Sequence, residues 1–286
     1  MKFSASIYST SSLYVVMNPR VFLKAMILLM LIPSGICLLL PDTIAGSYTR
    51  IMYPLVLILG AVLSMRVAAI YKNWLRNAFI FLSLFLFLMI FPHFDFLWGF
   101  YSAHPQLVVL LQWITYAMLV LCSFYVLKVT EVREITREGW VLIGAAFLIG
   151  IIILAYHVPP LYHYYPPAYK IPLTLIYFLD VVIVIMLMPV VLLYAQQMRL
   201  EGRESITFTT IISGIILSTV AVYLYVIVSG IPLYAAPNVF HTGSVLDSLY
   251  LFSYLLIAVG LYVHKKYDEW GFDMIEQALS GGSAET

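Results

Sequence analysis

Residues 51–92 read IMYPLVLILGAVLSMRVAAIYKNWLRNAFIFLSLFLFLMIFP. Two apolar runs, 51–71 and 75–92, meet at a short segment that carries Lys72 and Arg76. A helix rises about 1.5 Å per residue, so each run approaches the roughly 30 Å hydrocarbon thickness of a bilayer. Backbone polar groups in lipid must pair within their own segment, so such runs are expected to be helices. The basic connector between them marks one side of the membrane.

The same pattern extends in both directions. Six further apolar stretches of spanning length lie at 22–40, 106–127, 139–158, 171–196, 206–229 and 245–263. With the N-terminus cytoplasmic, thirteen of the fifteen Lys and Arg fall at or near cytoplasmic ends, and only Arg50 and Lys170 do not. The expected fold is therefore all-α: a polytopic integral membrane protein, a bundle of eight transmembrane helices, N-in and C-in. Its expected parts are a cytoplasmic segment 1–21, a transmembrane domain 22–265 and a short cytoplasmic tail 266–286, in the cell membrane as a multi-pass protein.

Composition supports this class. Mean hydropathy is +0.98, with 63% hydrophobic and 10% charged residues, which excludes an ordinary soluble domain. A net charge of +1 offers nothing for nucleic acid. The two cysteines, Cys37 and Cys122, lie inside apolar spans, so no disulfide scaffold is expected. The first twenty residues lack an apolar core followed by a cleavage site, so the first span is expected to be retained. The twenty residues after Lys266 are too few for a kinase, cyclase or DNA-binding module, so a signalling role is expected to use a separate partner protein.

The two faces differ chemically. Inner connectors 128–138 and 197–205 carry both charge signs, and 72–76 carries Lys72 and Arg76. They read as headgroup-level connectors, or as a docking surface for a cytoplasmic signalling partner at 128–138 and 197–205. Outer segments 41–50, 92–106, 157–170 and 230–243 are expected to be loops rich in Pro, Tyr and Trp, an interfacial aromatic belt. Five histidines, His93, His104, His157, His163 and His241, fall on that side. A metal site would use His93, His157, His163 and His241, but no HExxH or HxxxH pair exists and His157 and His163 flank Pro159-Pro160. Neither metal nor other cofactor is expected.

Small residues recur at four-residue spacing: Gly60, Ser64 and Ala68; Ala146 and Gly150; Gly214 and Ser218. These stripes permit close helix approach and are assigned to packing within the chain rather than to a dimer face. Pro33 and Pro189 are expected to kink or break their helices. A faint repeat links 136–150 with 202–217, and polar Gln112, Asp180 and Asp247 recur at about the same hairpin interval.

Asp180 is the most informative single position. It stands nine residues after Ile171, about 13–14 Å along the helix, near mid-membrane. An ionised carboxylate there is costly, so Asp180 is expected to be neutral or partnered, with Tyr177, Gln112, Thr115 and Tyr223 as candidate partners. Either it binds a ligand, senses protons or couples ions, or it is a protonated structural acid bonded to a neighbouring helix. No lysine lies mid-span for a Schiff base, and GxSxG and P-loop motifs are absent.

The stretches 176–194, 209–230 and 245–262 resemble the multi-helix sensor modules found N-terminal to histidine kinases and diguanylate cyclases. The matching positions are Asp180, Gly214, Tyr223, Tyr225, Asp247 and Tyr250, with Asp247 and Tyr250 opening the last helix as Asp-Ser-Leu-Tyr. Family members usually continue into an effector domain, and none is expected within residues 266–286. The resemblance implies a stand-alone sensor or receptor-like module that is not an enzyme. Its ligand site would draw on Asp180, Tyr177, Asp247, Gln112, Tyr223 and Tyr250. The alternatives are a small-solute or ion transporter, or transporter subunit, with Asp180 as coupling carboxylate, and a membrane enzyme or haem- or metal-handling protein using the outer histidines.

Overall fold

A computed structural model describes residues 19–94, 105–129, 137–164, 167, 170–171, 174–175, 177–179, 181–182, 185–186, 210–218, 220–221, 224 and 245–270. The chain is all-α, and no strand occurs among the described residues. The helices are α1 (Pro19–Leu39), α2 (Asp42–Ala68), α3 (Trp74–Leu88), α4 (Pro105–Val129), α5 (Arg137–Tyr164) and α6 (Val245–Trp270). A 3-10 turn, Phe91–Phe94, follows α3, and residues 210–218 are also helical. Among the described residues, four segments are long and apolar enough to cross a membrane: Thr43–Ala68, Leu110–Val129, Gly139–Tyr156 and Val245–Lys266. Two apolar helices, Lys24–Leu39 and Trp74–Leu88, are shorter.

Two expected outer loops prove helical. Residues 42–50 are the first turns of α2: Pro41 takes φ −57°, and its carbonyl accepts from the Ile44 and Ala45 amides at 2.9 and 2.8 Å. Their polar composition suggested a loop, yet Pro suits a helix start because no intrahelical partner is needed for its missing N–H. Likewise α5 continues through Pro159 and Pro160 to Tyr164. Pro33 does not break α1, and its carbonyl accepts the Tyr48 hydroxyl at 3.1 Å. The last helix runs one turn beyond residue 265, to Trp270.

The helices pack in the spatial order α1, α6, α2, α3, α4. The final helix thus lies between the first two. Asp247 meets Tyr53, Ala258 faces Gly60 and His264 meets Tyr71, so α6 runs parallel to α2. Ser248 Oγ donates to the Ser34 carbonyl at 2.6 Å, which makes α1 antiparallel to α6. Two serines lock α2 to α3: Ser64 Oγ donates to Phe79 O at 2.7 Å, and Ser83 Oγ to Ala61 O at 2.8 Å. Away from water such interhelical bonds are each worth about 0.6 kcal/mol on average.

The small-residue stripes face inward. Gly60 packs on Leu86, Gly150 on Val181, and Gly214 on the Ser253 carbonyl and Ile257. Large apolar side chains cover the outside instead, among them Ile51, Leu55, Phe87, Val141, Leu148 and Ile152. Water would penalise such a surface, whereas lipid solvates it, so it is compatible with a membrane protein. Both cysteines are free and buried.

Candidate functional site

Helix α6 opens on Asp247, in its first turn, where the helix dipole favours a negative charge. The α6–α2 pairing carries this turn against the middle of α2, and the 3-10 turn after α3 closes the third side. The result is a buried cluster of Tyr53, His93, Asp247, Tyr250 and Tyr254. Tyr53, with 0% exposure, donates its hydroxyl to the Asp247 carbonyl at 2.9 Å. Its ring meets His93 at 4.9 Å, and Tyr250 and Tyr254 at 5.9 Å each. Tyr250 and Tyr254, one turn apart, meet edge to face at 4.8 Å, and His93 stands 6.3 Å from Tyr254.

Edge-to-face rings add about 0.5–1.5 kcal/mol per pair beyond burial. The cluster is therefore a rigid aromatic box holding one acid and one imidazole away from water. A change of charge on either group, or a polar molecule contacting Asp247, would act directly on the start of α6.

A second polar contact lies at the other end of α6. His264, buried, forms a hydrogen bond through Nε2 with the Tyr71 hydroxyl just beyond α2. Phe79 stacks on Tyr71 at 5.7 Å and lies 5.8 Å from His264. Asp247 and His264 are seventeen residues apart on one helix, about 25 Å. Between the two clusters, Leu255 to Val263 of α6 carries Tyr262 as its one side chain with a polar end.

Of the sequence candidates, Asp247 and Tyr250 come together. Tyr177 is buried on the segment whose Val181, one turn on, packs against Gly150 of α5. Gln112, half-buried on α4, has no hydrogen-bond partner for Oε1 among the described residues. Asp180, Tyr223 and His241 lie outside the described residues. Among the histidines, His93 is enclosed in the α2–α6 cluster, while His163 is exposed in the last turn of α5. His157 belongs to α5, six residues before His163, so their Cα positions point to different faces of that helix. Among the described residues, no three His, Cys, Asp or Glu side chains converge as a metal site.

Tyr53, Tyr254, Tyr71 and His264 were not candidates from sequence. Each is one aromatic in an aromatic-rich span, and only the pairing of α6 with α2 distinguishes it. The polar residue inside the last turns of α6 was a signal available for His264. No family model, no curated protein and no solved structure matches the chain.

Proposed function

We propose that the chain is an eight-helix, multi-pass protein of the cell membrane with both ends of this sequence cytoplasmic. In this reading it is a sensor or receptor-like module that passes a signal to a separate cytoplasmic partner through 128–138 and 197–205. A small polar ligand, or a physical state of the membrane, acts at the outer end on Asp247, Tyr250 and their aromatic box, with Asp180 and Tyr177 as further elements of the site. The response is a shift of α6 felt at the inner end.

The observation that carries the reading is α6 itself, one helix with a buried polar cluster at each end. Helix pairing supports the orientation, because it gathers Lys24, Arg66, Lys72, Arg76, Lys128, Lys265 and Lys266 at one end of the bundle and Asp247 and His93 at the other. A sensor needs two states that a stimulus biases.

The test places a cysteine at Lys265 in the full chain, in nanodiscs, and measures its labelling rate. Asp247→Asn and Tyr250→Phe at the far end are expected to change that rate severalfold while the protein stays folded. An unchanged rate in both variants removes the sensing role. The same preparation in sealed vesicles separates a transporter: solute or ion flux abolished by Asp180→Asn would replace the sensor reading.

A further inference from the structure

Where α2 ends and α3 begins, α4 arrives antiparallel and ends. Lys128, on the last turn of α4, holds Nζ 3.6 Å from the ring centroid of Trp74, the first residue of α3. Lys72 and Arg76 lie two residues to either side of Trp74, and both are exposed. Helices α2, α3 and α4 and the connector 69–73 contain a single acidic residue, Asp42, at the opposite end of α2. Lys128 thus lies over the Trp74 ring, with Lys72 and Arg76 exposed on the adjoining connector and first turn of α3 and no other acid on these elements.

An aromatic column leads away from the cations along the α3–α4 seam. Trp74 stacks on Tyr125 at 5.7 Å, and Tyr125 on Phe81 at 5.5 Å and 6°. Phe124 meets Tyr125 edge-on at 5.7 Å and is itself 49% exposed. Trp74 is 46% exposed. The α3–α4 seam is therefore amphiphilic: cations at the end of the bundle (the mouth of the notch) adjoin a part-exposed aromatic strip along α3 and α4 (its groove). A free anion would use only the mouth, and an acidic protein segment would have no use for the groove. A molecule with one anionic head and an acyl chain fits both.

We propose that this notch binds an anionic phospholipid, with the phosphodiester between Lys72, Arg76 and Lys128 and an acyl chain along Phe81, Tyr125 and Phe124. Trp74 holds the Lys128 ammonium in place, since a cation over an indole face gains about 0.5–1 kcal/mol even when exposed. The ammonium keeps its charge and its donors for the phosphate. The site rests on the reading that α2 and α4 cross a bilayer, but not on which side the notch faces.

The test titrates the full chain, in neutral detergent, with dioctanoyl phosphatidylglycerol and counts bound lipid by native mass spectrometry. Dioctanoyl phosphatidylcholine and inorganic phosphate are the comparison arms. The anionic lipid is expected to bind at least tenfold more tightly than the neutral one, with phosphate failing to displace it at equal concentration. Each cation near the headgroup contributes about fivefold in affinity, or about 1 kcal/mol. Lys72→Gln/Arg76→Gln/Lys128→Gln is thus expected to lose tenfold or more, and Lys265→Gln/Lys266→Gln to lose less than twofold. Trp74→Leu should weaken binding a few fold and Trp74→Phe should recover part of it.

Equal binding of the two lipids, or wild-type binding by the triple variant, would overturn the site. Phosphate binding as tightly as the lipid would also overturn it, because the groove would then contribute nothing. If the triple variant does not fold, Lys128→Gln alone decides: a loss of about fivefold supports the notch and unchanged binding rejects it. Detergent binding needs no orientation, so failure here leaves the membrane topology standing.

Discussion

Tyr53 is fully enclosed, with its hydroxyl on the Asp247 carbonyl and its ring against His93, Tyr250 and Tyr254. Tyr53→Phe keeps every ring contact and removes one hydrogen bond. The expected loss is about 0.6 kcal/mol, and about 1.7 kcal/mol at most, read as a fall of a few degrees at most in melting temperature. Tyr53→Ala empties the box and should cost about 3–5 kcal/mol. Equal losses for Phe and Ala would show that the hydroxyl, not the rings, holds α6. The sequence signalled part of this site. Asp247 and Tyr250 stood out as a polar start to an apolar helix, while Tyr53 and Tyr254 look like any belt or core aromatic. Their role depends on a pairing nearly two hundred residues apart, which no local pattern encodes. Asp180 is argued from depth alone: Asp180→Asn should fold normally, and Asp180→Leu should lower thermal stability.

At the scale of elements, close approach explains the glycines. A Cβ on Gly214 would lie 2.6 Å from Ile257 Cγ1 and 2.8 Å from the Ser253 carbonyl oxygen. Backbone cannot yield as a flexible side chain can, so Gly214→Ala should push residues 210–218 off α6 and cost about 1–3 kcal/mol. Gly144 on α5 has nothing within 4 Å of the corresponding position among the described residues, so Gly144→Ala should be neutral in the same melting assay. If both variants melt alike, the contact of residues 210–218 with α6 is wrong. The small-residue stripes were legible because their four-residue spacing is a property of the helix surface. The start of α2 was not: Thr43, Ser47 and Thr49 lower the hydropathy of a segment that is helical nonetheless. Ser47 and Thr49 turn their hydroxyls back on helix carbonyls, Thr43 and Gly46, which a hydropathy reading counts only as polarity.

Across the whole molecule, α6 between α1 and α2 joins the two ends of the described chain into one core. Lys24, Arg66, Lys72, Arg76, Lys128, Lys265 and Lys266 lie at the end marked by Tyr71 and His264, and the aromatic box sits at the other, with Arg50 on its side. In the proposed topology the Tyr71 end is the cytoplasmic one, as the bias of Lys and Arg in the sequence leads one to expect. The spatial order of the helices was not anticipated, since apolar spans carry little information about which neighbour they meet. The most direct test is topology. In full chains with Cys37 and Cys122 replaced, single cysteines at Pro41 and at Ala69 are exposed in turn to an impermeant thiol reagent on intact cells. The account predicts labelling at Pro41 from outside and at Ala69 only after the membrane is opened. Labelling at Ala69 but not Pro41 in intact cells, or equal labelling of both, would contradict it.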